Sequence, residues 1–248
     1  MPVLPYSHLV TATEIAAIKL LGFKLTGMSA LEHEFINKHF PNLDLFRLLR
    51  ILDDIFTPLC SCDINKKVEF FDTKPPGIVI AIYTEGCSSE EANLAFCRIF
   101  TSENDELIVR HEFLKIPEIY RRRGVGKSVL TALLQQYVNM GIIKIKVHAG
   151  RADGGYVWGK HFFTADSKIE IDIILAAAEA ALDSGQYKAV RRVYDNYYSR
   201  NPDGKTFPIN KWAYLPFMEQ VLKGSEWHGT IDLKNPEQFN NFIRYVLR

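Results

Sequence analysis

The chain has 248 residues, 47% of them hydrophobic and 24% charged, with a formal net charge of +1 and a mean hydropathy of −0.07. That length supplies a core for one large domain or two small ones, and the near-neutral balance excludes a chain-wide field that would draw nucleic acid or a membrane surface. No apolar run approaches the ~18 residues of a membrane span, the start MPVLPYSHLV lacks a basic region followed by an apolar one, and Cys60, Cys62, Cys87 and Cys97 fit no zinc spacing, so a cytoplasmic protein with reduced thiols and no metal site is expected.

The first ~70 residues read as helical from their apolar period. Thr11-Ala-Thr-Glu14 is a capping-box pattern that opens a helix, and Gly22 stops it. Ser29-Ala-Leu-Glu32 is a second such box, and Pro41 ends what it starts. LDLFRLLRILDDIF then sets Leu45, Leu48, Leu49, Leu52 and Phe56 on one helical face. Lys74-Pro-Pro-Gly77 breaks the pattern and marks a boundary.

Strand signals follow. GIVIAIYT at 77–84, NLAFCRIFT at 93–101 and LIVRHEFLKIP at 107–117 are β-branched or aromatic runs separated by polar turns, which predicts an antiparallel meander. At 124–141 the period becomes helical, with Val129, Leu130, Leu133, Leu134 and Val138 on one side and Gly141 as the stop. IIKIKVHAG at 142–150 alternates and reads as another strand. Gly154 and Gly155 are poor helix residues where a helix should begin, and suggest close approach by something bulky such as a coenzyme. Asp153 is the expected N-cap there, and Arg151 is a further phosphate candidate. The capping box Ser167-Lys-Ile-Glu170 opens a helix to about Leu182, Ser184 and Gly185 turn the chain, and 186–200 forms a second helix. WHGTIDL reads as a strand and NPEQFNNFIRYVL as a closing helix with Pro236 near its start.

RRRGVGKSVL, residues 121–130, carries the chemistry. Its Gly126-Lys-Ser128 matches the end of a nucleoside-triphosphate loop, yet that pattern requires a glycine where Arg121 stands. Arg121, Arg122, Arg123 and Lys127 crowd a helix N-terminus that already carries about half a positive charge. A solvated basic turn is one reading. A bound phosphate, which reverses the sign of the argument, is the other.

Arg121-x-x-Gly124-x-Gly126, placed between a strand ending LKIP and a helix, resembles the Arg/Gln-x-x-Gly-x-Gly/Ala loop of the GNAT family of acyl-CoA N-acyltransferases. YVWGKHFF at 156–163 resembles that family's Tyr-x-x-x-Gly-Phe segment. Together the likeness covers about residues 105–163. It implies an α/β fold with a mixed central sheet flanked by helices: a helical region at 1–73, an acyl-CoA-binding core at 74–165, and a helical insertion with a sheet-completing end at 166–248. It implies acetyl-CoA as acyl donor and an amine, on a protein or a small molecule, as acceptor. Leu114 and Ile116 take the pantetheine-pairing positions, and Arg121, Arg122, Arg123, Gly124, Val125, Gly126, Lys127 and Ser128 the phosphate loop. The two-residue strand period puts Glu112 on the face of Leu114 and Ile116, which makes it the candidate base. His111 points the other way unless a bulge intervenes. The sequence departs from the family at two positions. Trp158 stands where a proton-donating tyrosine is usual, and Phe162 replaces a glycine. The acid is therefore open between Tyr156, a distant tyrosine and water, and a catalytically silent binder is the alternative to an enzyme.

Overall fold

In the computed structural model, residues 7–27, 31–60, 62–86, 93–150 and 153–247 are described. Ser29, Cys87 and Arg151 lie outside them. The fold is mixed α/β. The chain divides into one unit of 1–143 with 246–248, and a second of 144–245.

The first unit runs α1 (Ala12–Leu20), β1 (Lys24–Thr26), α2 (Glu32–His39), α3 (Leu45–Phe56), β2 (Ile64–Phe71), β3 (Gly77–Thr84), β4 (Ala95–Glu103), β5 (Glu106–Lys115) and α4 (Val125–Met140). The Thr11 box closes in both directions: Glu14 N donates to Thr11 Oγ1 at 3.2 Å, and Thr11 N to Glu14 Oε2 at 2.8 Å. α2 instead starts with Leu31 at its N-cap, without a side-chain bond. All five apolar positions read on α3 are buried. On α4 the period misplaces one residue: Val138 is 54% exposed, and Tyr137 takes the core position beside Leu133 and Leu134.

The helical reading of the N-terminal region is corrected at two places. Residues 24–26 and 64–71 are strands, β1 parallel to β2. β2 pairs along its whole length with β3, so residues 72–76 connect two strands of one sheet and Gly77 opens β3. The antiparallel meander then continues through β4 to β5. β4 and β5 join at a two-residue turn in which Asn104 and Asp105 have φ of 51° and 63°, the conformation hairpin turns favour because it matches the strand twist.

The register puts one row of side chains across this sheet at each level. Phe70, Ile78, Phe100 and Val109 form one row, Val68, Ile80, Arg98 and His111 the next, and Lys66, Ile82, Phe96 and Leu114 the third. Helices cover this face through Phe35 on Phe70, Phe56 on Phe96 and Tyr137 on Phe100, with ring centroids 5.9, 5.3 and 6.2 Å apart. Each buried apolar side chain contributes about 1.5–3 kcal/mol. Lys66 reaches the edge of that row and pairs with Asp53 of α3 at 3.0 Å.

The second unit runs β6 (Lys144–Ala149), α5 (Gly154–Lys160), β7 (Thr164–Ala165), α6 (Lys168–Ala181), α7 (Ser184–Tyr198), α8 (Asn210–Ala213), α9 (Glu219–Lys223), β8 (Trp227–Asp232) and α10 (Pro236–Leu247). β8 lies between β6 and β7, antiparallel to both. Ser167 caps α6 by accepting from Glu170 N at 3.4 Å. The Glu170 carboxylate turns away from the box to His228, accepting from its backbone N at 2.9 Å and contacting Nδ1 at 2.7 Å. α7 starts at Ser184, two residues before the predicted start, because Asp183 accepts from both Gly185 N and Gln186 N. Asp153 occupies the N-cap of α5 but makes no capping bond. It faces Lys223 at 3.7 Å instead.

Gly155 has a local explanation. A Cβ there would lie 2.2 Å from Leu222 O and 2.9 Å from Ser225 O, so the bulk beside this glycine is the end of α9. Gly154 has room for a Cβ, its nearest neighbour being Ala149 C at 3.7 Å. Gly155→Ala is therefore expected to destabilise the protein by about 3 kcal/mol, the upper range for forcing atoms into a packed site, whereas Gly154→Ala should be neutral or stabilising. Denaturant midpoints of the two variants measure the contrast, and equal midpoints would contradict it.

Candidate functional site

β5 is regular up to His111 and changes there. Arg98 pairs with His111 and Cys97 with Phe113, so the register passes over Glu112. This is a β-bulge with Glu112 as the extra residue. It has the side-by-side effect that alternation alone excludes: His111 stays in the buried row, 1% exposed, while Phe113 turns out to 62% exposure on the other face. Glu112 is half-buried at the switch. Leu114 sits in the next row of the same face as His111, so the bulge realises the alternative in which His111 does not point away from Leu114, and corrects the simple alternation that grouped Leu114 with Glu112 instead.

Arg98 explains how the bulge is tolerated. A bulge disrupts ladder bonding and leaves carbonyls to be satisfied otherwise. Arg98, fully buried in the apolar row, donates from Nη1 to Phe113 O and Cys97 O, both at 2.7 Å. Burial lowers the guanidinium's pKa, and the nearby Tyr137 hydroxyl opposes that shift. Burial likewise raises the pKa of Tyr137, against the pull of Arg98. Tyr137 thus keeps its proton, and its hydroxyl lies 2.7 Å from His111 Nε2, a bond whose direction follows the imidazole tautomer. Arg98, Tyr137 and His111 form one buried polar chain behind the bulge. Burial first, then the Glu112 carboxylate, pushes the Cys97 thiol up to about 11, so this cysteine is no nucleophile at neutral pH.

After β5, Pro117 and a short 3-10 turn at Glu118–Tyr120 lead to the basic loop. Arg121 Nε donates back to Ile116 O at 3.2 Å and ties the loop to the strand end. Arg122 and Gly124 both take positive φ, 60° and 83°. Two left-handed residues in three reverse the chain so that α4 starts at Val125. A Cβ at Gly124 would meet nothing within 4 Å, so its requirement is conformational only. At Gly126 a Cβ would touch Ile116 Cδ1 at 3.7 Å and Leu114 Cδ2 at 3.8 Å, ordinary contact. The side chains of Leu114 and Ile116 therefore support the first turn of α4.

The N-terminus of α4 has neither a side-chain cap nor an acid in its first turn. The first bond of the helix is Ser128 N to Gly124 O at 3.0 Å, which leaves the amides of Val125, Gly126 and Lys127 without intrahelical acceptors. Arg121, Arg122, Arg123 and Ser128 are exposed around them and Lys127 is half-buried. Arg123 lies over the Tyr120 ring at 5.8 Å. Free amides, the positive end of a 16-residue helix and exposed cations make an anion-binding arrangement.

The remaining candidates belong to the second unit. Tyr156, on α5, has the Lys160 ammonium 4.4 Å from its ring centre, and it bonds Glu219, whose carboxyl is lowered first by Lys223 and further by this tyrosine. Trp158 meets the rings of Phe163 and His161 edge-on at 5.3 and 5.7 Å, the geometry of aromatic packing. Burial holds His161 near 4, hence neutral. Phe162 has a φ of 66°, so the backbone at this position takes the form that glycine favours although the residue is not glycine.

Sequence reasoning allowed for a bulge beside His111 but missed Arg98 and Tyr137. A lone arginine in the apolar run AFCRIF was the available signal for the first of these. Among the described residues no helix is long and apolar enough to cross a membrane. A scan of protein-family models gives no match to the chain, and neither does a search of curated proteins.

Proposed function

We propose that the protein is a GNAT-type N-acyltransferase that moves an acetyl or other acyl group from acyl-CoA to an amine on a protein or a small molecule. The observation that carries this reading is the succession in the first unit: a bulge at Glu112, a strand end at Ile116, and a left-handed turn at Gly124 into an uncapped, cation-ringed helix. The amides at Val125–Lys127 hold the coenzyme pyrophosphate, and Arg121, Arg122 and Arg123 supply charge for its further phosphate. The backbone at Leu114 and Ile116 offers its polar groups to the pantetheine. Glu112 takes a proton from the acceptor ammonium, the amine nitrogen attacks the thioester carbonyl carbon, the C–S bond breaks, and the second proton that the nitrogen sheds in becoming an amide passes through water to the departing coenzyme A thiolate. His111 is unsuited to that task, since its Nε2 is engaged by Tyr137 and the side chain is buried. A cytoplasmic location belongs to this reading, since acyl-CoA donors are intracellular metabolites.

A second reading is favoured by Trp158, whose aromatic packing occupies the position of the usual acid: an acyl-CoA binder without turnover. Calorimetric titration with acetyl-CoA and with ATP, followed by free-thiol release in the presence of an amine panel, tests both. Saturable acetyl-CoA binding with amine-dependent thiol release is expected. Binding without thiol release selects the silent binder, and binding of ATP alone sinks both.

A further inference from the structure

A different cluster sits at the start of the first unit. His8 Nε2 lies 3.3 Å from Glu14 Oε1 and 3.9 Å from Asp44 Oδ1, and one ligand atom from each of the three falls within 4.8 Å of the others. The side chains are only 21%, 23% and 13% exposed. They come from three stretches of chain, and each stretch is held by bonds of its own. Glu14 Oε2 accepts from Thr11 N and Oγ1 at 2.8 and 3.0 Å, which turns Oε1 towards His8. Asp44 caps α3, with Oδ1 accepting from Arg47 N at 3.0 Å, and its backbone N donates to Gln136 Oε1 at 3.0 Å. The segment bearing His8 is fixed by His8 N on Asn42 Oδ1 at 3.3 Å and by Val10 N and O on the Asn37 amide at 2.8 and 2.9 Å.

Two ligand atoms on one zinc ion, each about 2.0–2.2 Å from it, stand about 3.3–3.6 Å apart in a tetrahedral site and no more than about 4.4 Å in any site. The His8–Glu14 distance of 3.3 Å fits the first limit and the His8–Asp44 distance of 3.9 Å the second, so the ion pairs at His8 are also spaced for a shared ion. One imidazole and two carboxylates are also a donor set suited to zinc, and their charges sum to −2 with His8 neutral. We propose that His8, Glu14 and Asp44 bind one divalent transition-metal ion of the zinc class, with water as a fourth ligand, and that this ion ties the segment before α1 to the start of α3.

The test is zinc titration of the metal-stripped full chain against a chromophoric chelator, with cobalt as a spectroscopic substitute. His8→Gln removes the nitrogen ligand. Asp44→Asn weakens the oxygen ligand while keeping an N-cap of equal quality, so α3 stays capped. One equivalent of zinc is expected to bind, to raise the melting temperature, and to bind at least about tenfold more weakly in both variants, a loss that even an outer-shell change at a metal site produces. The cobalt complex should lack thiolate charge-transfer absorption. The proposal is overturned by the absence of stoichiometric zinc binding, by either variant binding as tightly as the wild type, or by a thiolate band assigning the ion to cysteine.

Discussion

Gly124→Asp is expected to remove acetyl-CoA binding, by about 100-fold or more, while Gly124→Asn lowers it only a few-fold. The two replacements are nearly the same size, and a side chain at this position meets nothing within 4 Å. Both carry the same conformational cost, because φ is 83° and Asn and Asp are the non-glycine residues that tolerate the left-handed region best. They differ in one negative charge beside the amides of Val125–Lys127. At an effective dielectric of about 20, two unit charges about 4 Å apart repel by about 4 kcal/mol, and each 1.4 kcal/mol is about tenfold in affinity. The effect on the fold has the opposite sign. Aspartate would stand at the positive end of α4 among Arg121, Arg122, Arg123 and Lys127, where an acid stabilises a helix by about 0.3–1 kcal/mol. Lost binding with undiminished thermal stability thus separates a missing ligand from a missing fold. Calorimetry on both variants measures it, and equal affinities for Asp and Asn would remove the coenzyme from this loop.

What the sequence could and could not convey follows from the range of each interaction. The meander and α4 were legible because their apolar periods are local, and the Asn104-Asp105 turn is marked by residues that tolerate positive φ. β2 was not, because INKKVEFF places Lys67 and Glu69 on its outward face and Lys66 at the edge of the inward one, and only Val68 and Phe70 are buried. Its strand identity comes from pairing with β3, a contact that no helical or strand period encodes. The bulge is less legible still. It is defined by Arg98 opposing His111 while Cys97 opposes Phe113, a register set between two strands and stabilised by an arginine donating to two carbonyls. The alternation argument assigned Glu112 and His111 to opposite faces and could name a bulge only as a condition, since nothing in the residues themselves says that the register shifts there. Gly155 shows the reverse error: its glycine requirement was visible, but the neighbour that imposes it, the end of α9, is about 70 residues away and was mistaken for a coenzyme.

Glu112→Gln is expected to lower kcat for acyl transfer by about 10²–10⁴ at neutral pH, the usual contribution of a positioned base, with acetyl-CoA affinity unchanged. Glutamine has the same shape, and the bulge is held from behind by Arg98 on Phe113 O and Cys97 O, so the backbone gives no reason to move. The deficit should shrink as pH rises, because an alkyl amine with a pKa near about 10 loses its proton unaided there. A variant that merely loosened the fold would show no such convergence. His111→Phe supplies the contrast. His111 is 1% exposed and hydrogen-bonds the Tyr137 hydroxyl, so its loss leaves a buried phenol without that partner, at about 1–3 kcal/mol of stability. Its kcat, measured well below its melting temperature, should stay within a few-fold of the wild type. If instead His111→Phe abolishes turnover and Glu112→Gln does not, proton transfer runs through the buried Arg98–Tyr137–His111 chain, and the bulge serves to carry that imidazole rather than to present a carboxylate.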